Sequence, residues 1–118
     1  MLIGELSRRT GVSPRLLRYY EAQGLLTADR GANGYRTYDE GAERTVRQVR
    51  ALLDAGLSTE IIRTVLPCTY GDTYGGKPRI NWCTELRTLV DRELDAMNER
   101  INALQRSRDN LAGYLAHS

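Results

Sequence analysis

The sequence predicts a mostly α-helical protein: two short helices joined by a tight turn, a small two-stranded wing, two further helices and one long C-terminal helix. Three observations predict it. Gly11-Val12-Ser13-Pro14 interrupts two blocks of apolar residues at helical spacing. Asn33-Gly34 sits between short runs rich in arginine and tyrosine. From Trp82 onward there is no proline, and no glycine until Gly113, while apolar residues recur at mostly three- and four-residue steps.

In the first block, Ile3, Leu6, Val12, Leu16, Leu17 and Leu25 are spaced for two helices around a turn. Gly11 can supply the positive φ that ends the first helix. Ser13 is a good N-cap and Pro14 occupies the favoured first helical position, so the second helix starts near Pro14 and runs to about Ala22. Gly24 is a plausible terminator. Asn33-Gly34 predicts a two-residue hairpin turn with both residues at positive φ, flanked by Asp29-Arg30 and Tyr35-Arg36-Thr37-Tyr38. A lone ribbon is marginal in water, so it must pack on the helices.

Asp39 is the expected N-cap of a third helix carrying Val46, Val49, Leu52 and Leu53. Gly56 breaks it. Ser58 opens a fourth helix that reaches Leu66, where Pro67 stops it. Residues 67–81 then read as an irregular connecting loop. In the last segment, Leu86, Val90, Leu94, Met97, Ile101, Leu104, Leu111 and Leu115 form a coiled-coil-like seam, with one position skipped at Arg108. About 32 residues at 1.5 Å each give roughly 48 Å, too long for a small core to cover, so the seam is expected to bury against a second copy. The domain reading is therefore 1–66 for the small helical domain with its wing, 67–81 for the loop and 82–115 for the long helix.

Composition excludes several classes. The 118 residues carry a net charge of +2, so a nucleic-acid footprint must come from local clustering rather than bulk charge. No apolar run approaches the roughly 20 residues that span a membrane. The start of the sequence has no basic segment followed by a long apolar core, so a signal peptide is not expected and a cytoplasmic location is the default. There is no paired nucleophile and base, no Gly-rich phosphate loop, and the single histidine is His117, so the sequence does not read as an enzyme.

The order of elements is that of a winged helix-turn-helix, and its polar residues suit duplex DNA. On the helix from Pro14, Arg15, Arg18 and Tyr19 stand at i, i+3 and i+4 and share a face, with Leu16, Leu17 and Tyr20 turned more toward the other side. A recognition helix sets such a face into the major groove. Arg15 is the candidate for base edges, through paired hydrogen bonds to guanine. Arg18, Tyr19 and Tyr20 are candidates for the phosphate backbone, with Ser13 at the helix start. In the wing, Arg36 and Tyr38 are phosphate candidates, with Arg30 and Tyr35 weaker ones. Tyr20 is the one most readily given to the core.

Leu17-Arg18-Tyr19-Tyr20-Glu21, Gly24-Leu25-Leu26, Gly34-Tyr35-Arg36-Thr37-Tyr38, Gly56-Leu57-Ser58 and Ile61-Ile62, in that order and spacing, resemble the MerR family of transcriptional regulators. The resemblance runs from Ile3 to about Leu115. It implies an antiparallel homodimer built on the long helix and a pseudo-palindromic promoter site. It further implies DNA that is bent and untwisted to realign promoter elements for RNA polymerase.

The signal is open in the sequence. The chain runs only to Ser118, so no separate ligand-binding domain is expected, and the C-terminal cysteine-bearing loop of the metal-sensing members has no counterpart. Cys83 falls where thiophilic-metal sensors of the family place one ligand. Cys68 and Cys83 could be reduced apolar fillers, a thiol pair joined or modified by an oxidant, or part of a metal site completed by a partner chain, with His117 as a further candidate. A helix N-terminus favours a thiolate, which makes Cys83 the more reactive candidate. Tyr70, Tyr74 and Trp82, with Asp72, Lys77 and Arg79, could hold a small flat ligand or simply pack a surface connection. An effector-less constitutive or architectural DNA-binding protein is the alternative to a signal-responsive regulator.

Overall fold

The computed structural model describes residues 1–31 and 33–117. They form two compact units, divided between Asn81 and Trp82. In the first, helix α1 (Ile3–Thr10) ends at Gly11, whose φ of 72° lets its N–H reach the Ser7 carbonyl. Helix α2 (Pro14–Ala22) starts as the sequence predicts. The Ser13 hydroxyl accepts the Leu16 N–H at 3.2 Å and Pro14 leads the first turn. It closes with paired bonds from Gly24 N–H to the Glu21 carbonyl and from Leu25 N–H to the Tyr20 carbonyl, with Gly24 left-handed at φ 75°.

Strands β1 (Asp29–Arg30) and β2 (Arg36–Thr37) pair antiparallel, Asp29 opposite Thr37 and Arg30 opposite Arg36. The expected two-residue Asn33-Gly34 turn is corrected. Gly31 N–H bonds the Tyr35 carbonyl and Gly34 N–H bonds the Gly31 carbonyl, so three residues lie between Gly31 and Tyr35. Only Gly34 of the pair has positive φ, and the Asn33 side chain instead accepts the Tyr35 N–H. An Asx-type bond and one left-handed glycine suit a three-residue loop with a bulge.

Helix α3 (Gly41–Asp54) buries Ala42, Val46, Val49, Leu52 and also Gln48. The expected cap at Asp39 is corrected as well. The cap position is Glu40, without a side-chain bond, and Asp39 contributes only its carbonyl, to Ala42 N–H. Helix α4 (Thr59–Val65) is capped by Ser58, whose hydroxyl accepts the Ile61 N–H. The α-helix gives way at Leu66–Cys68 to a single 3-10 turn containing Pro67. The core of this unit gathers Leu6, Leu17, Tyr20, Tyr38, Val46, Val49, Ile62 and Val65, all nearly or fully buried.

The largest departure from the sequence reading is residues 67–81. They form no irregular loop but a second hairpin, β3 (Thr69–Tyr74) and β4 (Lys77–Ile80). It turns at Gly75-Gly76, both left-handed. It docks on α3 through polar links: Gln48 Nε2 donates to the Gly71 carbonyl at 3.3 Å, Thr69 Oγ1 donates to Gln48 Oε1 at 3.4 Å, and Arg47 pairs with Asp72 at 3.3 Å.

The second unit is helix α5 (Thr84–Ala116), 33 residues long with Cys83 at its N-cap. At 1.5 Å per residue it spans roughly 50 Å. Leu94, Ile101, Leu104 and Leu111 are each more than half exposed along it. Among the described residues no helix is long and apolar enough to cross a membrane.

Candidate nucleic-acid interface

Helix α2 divides cleanly. Leu17 and Tyr20 are buried on one side, while Arg15, Arg18 and Tyr19 are exposed on the other. Leu16, expected to turn inward, is 40% exposed and borders the polar face. Ser13 is exposed with its hydroxyl engaged in the cap.

The wing stands beside this face. Leu2, Ile3, Arg18, Gly34, Tyr35 and Arg36 line a cleft of about 300 Å³. Thus Arg18 of the helix and Arg36 of the wing, far apart in sequence, border one concave surface. Tyr35 is well exposed. Arg36 is half-buried, and its Nη1 lies 3.4 Å from Glu21 Oε2. The wing is pinned by a pair of 2.7 Å bonds, from Met1 N to the Tyr38 carbonyl and from Tyr38 N–H to the Met1 carbonyl.

Two sequence candidates are displaced from the surface. Tyr20 and Tyr38 are each only 2% exposed. Burial pushes both phenols above the usual tyrosine range; the Glu21 carboxylate adds to the rise at Tyr38, and Asp54 adds to it at Tyr20. Tyr20 lies on the inward stripe of α2, and Tyr38, the residue after β2, is turned into the core where its backbone is tied to Met1. Tyr19 remains outside, its ring 6.5 Å from that of Tyr20 at 52°. Arg30 is exposed on β1.

Helix α4 braces the far end of α2. Arg63 Nε donates to the Gln23 carbonyl at 2.7 Å, and Thr59 Oγ1 donates to Gln23 Oε1 at 3.3 Å. These residues were not singled out in the sequence, since a guanidinium capping another helix leaves no local pattern.

Residues 1–68 match the family described as MerR HTH family regulatory protein, more than half of the chain. The chain belongs to the MerR family. The heavy metal-dependent transcription regulator 2 of Rhizobium meliloti is 32% identical over 118 residues, covering 97% of this chain and 76% of that protein. Among solved structures, the transcription regulator PbrR691 from Ralstonia metallidurans in complex with lead(II) aligns with a TM-score of 0.75 at 24% identity, over 94% of this chain and 82% of its own. HiNmlR, a MerR family regulator lacking the sensor domain and bound to promoter DNA, aligns with a TM-score of 0.55 at 22% identity, over 98% and 86%. These two likenesses carry the winged helix-turn-helix fold. With the family match, this chain is a MerR-type DNA-binding transcription regulator and not an enzyme.

The relative from Rhizobium meliloti is a heavy metal-dependent regulator by name, and this chain carries two free thiols. Cys68 is half-buried at the end of the 3-10 turn, and its carbonyl accepts the Asn81 N–H at 2.8 Å, closing the base of the second hairpin. Cys83, two residues beyond Asn81, is an exposed free thiol. Among the described residues no group of three or more His, Cys, Asp or Glu side chains could hold a metal ion within one chain. In the second hairpin Arg79 lies over the Tyr74 ring at 5.2 Å, and in the second unit Arg87 covers the Trp82 ring at 5.3 Å.

Proposed function

We propose that two copies of this chain pair through α5 and set their α2 helices into successive major grooves of a pseudo-palindromic promoter site. The wings grip flanking phosphates and the DNA is bent and untwisted for RNA polymerase. The observation that carries this reading is the outward face of α2, Arg15, Arg18 and Tyr19, continued across a cleft by Tyr35 and Arg36. Arg15 reads a base edge; Arg18, Tyr19, Tyr35 and Arg36 hold phosphates; Ser13 sets the start of the helix. Tyr20 and Tyr38 serve from the core. Pairing is supported by the exposed series Leu94, Ile101, Leu104 and Leu111, an apolar seam that a second α5 would cover.

The direct test is Arg18→Ala. It is expected to weaken binding to all duplexes alike and to lower the salt slope by about one. Unchanged binding would remove α2 from the interface.

The regulatory signal enters at the thiols, with Cys83 as the reactive group because it is exposed at the N-cap of a 33-residue helix. A thiophilic metal held there draws its remaining ligands from the partner chain, where His117 of the second α5 is a candidate. Native mass spectrometry without reductant or chelator tests this reading. A dimer carrying a metal or a disulfide is expected, whereas a bare, reduced dimer that no metal or oxidant alters would favour the effector-less reading.

A further inference from the structure

Helix α2 carries one acid, Glu21, although it is the helix proposed to meet a polyanion. A carboxylate in such an interface opposes binding unless it does something for its neighbours. Glu21 does not join the outward face. Its side chain is 21% exposed, Oε2 sits 3.4 Å from Arg36 Nη1, and Oε1 is fully buried. The Tyr38 hydroxyl is likewise buried, and the Glu21 carboxylate acts on it both as a negative charge and as a hydrogen-bond acceptor, helping to hold the phenol protonated.

The wing needs such an anchor. Each of its strands has only two residues, a ribbon too short to be stable by itself. Its backbone is fixed at Tyr38 by the bonds to Met1, but those bonds do not orient the Arg36 side chain. A guanidinium offers five donors in a rigid fork. With Nη1 turned toward Glu21, Nε and Nη2 stay available for a phosphate, and part of the side-chain ordering is complete before DNA arrives.

We propose that Glu21 is a positioning residue for DNA binding, holding the Arg36 guanidinium of the wing in the orientation that accepts a backbone phosphate beside the recognition helix. This rests on the interface proposed above and assigns that interface an internal support. It makes a prediction of sign. Removing a negative charge from a DNA-binding surface should tighten binding by charge alone, whereas removing a positioning group should weaken it.

The experiment is a double-mutant cycle on the full-length protein, read by fluorescence anisotropy with a duplex selected from a random library, over a salt series. Glu21→Gln is expected to weaken binding roughly three- to tenfold, the equivalent of one modest hydrogen bond. Arg36→Ala is expected to weaken it and lower the salt slope by about one. In the Arg36→Ala background, Glu21→Gln should have no further effect. Glu21→Asp keeps the charge but withdraws the carboxylate, and should also weaken binding; it serves if Glu21→Gln melts below the assay temperature. Tighter or unchanged binding by Glu21→Gln would overturn the proposal. So would a loss that persists without Arg36 but vanishes in Tyr38→Phe, since the role would then be packing of Tyr38. If Arg36→Ala binds like the parent, the wing contact itself fails and this proposal with it. If Arg36→Ala weakens binding and Glu21→Gln does not, only the positioning role fails.

Discussion

Gln48 is the buried polar side chain that ties the second hairpin to helix α3, and its replacement gives a quantitative test of that docking. It is 5% exposed, with its amide nitrogen on the Gly71 carbonyl and its oxygen accepting from Thr69. Gln48→Met keeps the length of the side chain and removes both bonds. Each is long, and Thr69 Oγ1 retains a 2.6 Å bond to the Leu66 carbonyl. Gly71 is exposed, so water can replace its lost donor. A net bond contributes about 1 kcal/mol, so the expected loss is about 1–2 kcal/mol. Gln48→Ala also removes the buried γ-methylene at about 0.8 kcal/mol, bringing the loss to about 2–3 kcal/mol. For a unit of this size 1 kcal/mol corresponds to roughly 4–8 °C in Tm. Thermal melts give the totals, and amide hydrogen exchange shows where they fall. Residues 69–80 should lose protection ahead of α1 and α2 in Gln48→Met. An unchanged Tm together with unchanged exchange in the hairpin would show that Gln48 does not hold it.

Leu94→Asp places a charge in the proposed α5 seam and should give monomers that bind DNA poorly; light scattering that finds an intact dimer would contradict the pairing. Arg63→Ala removes the donor to the Gln23 carbonyl and should cost about 1 kcal/mol, because the group is exposed, measured by urea denaturation. Tyr20 and Tyr38 both have folded-state pKa values raised above 10.0, chiefly by burial. Their contribution to stability is complete below pH 10 and is lost as pH rises through the folded values. Tm should therefore fall above about pH 10, and less steeply in Tyr20→Phe, whereas an equally steep fall in that variant would place the titration elsewhere.

The local signals of this chain were legible where one residue type has one physical use. Ser13 with Pro14, Gly11, Gly24 and Ser58 mark helix ends, and the structure uses each as expected. The helical face of Arg15, Arg18 and Tyr19 followed from spacing alone. The second hairpin was not legible, because its inward side is Thr69, Thr73, Pro78 and Ile80 rather than a strongly apolar stripe, and its anchor is a glutamine on α3. Tyr38 was misplaced for a related reason. Tyrosine suits both a phosphate and a core, and backbone bonds between residues 37 positions apart decide between them. The Asn33-Gly34 pair marked the turn but not its length, which Gly31 and the Asn33 side chain fix.

Selection of binding sites from a random duplex library, followed by footprinting of the winning sequence, tests DNA recognition by the paired chain most directly. An inverted repeat, protected on one face at two half-sites about one helical turn or a multiple of it apart, and lost with Arg18→Ala, is the expected result. Enrichment of no duplex, or of a single asymmetric site occupied by one chain, would contradict it.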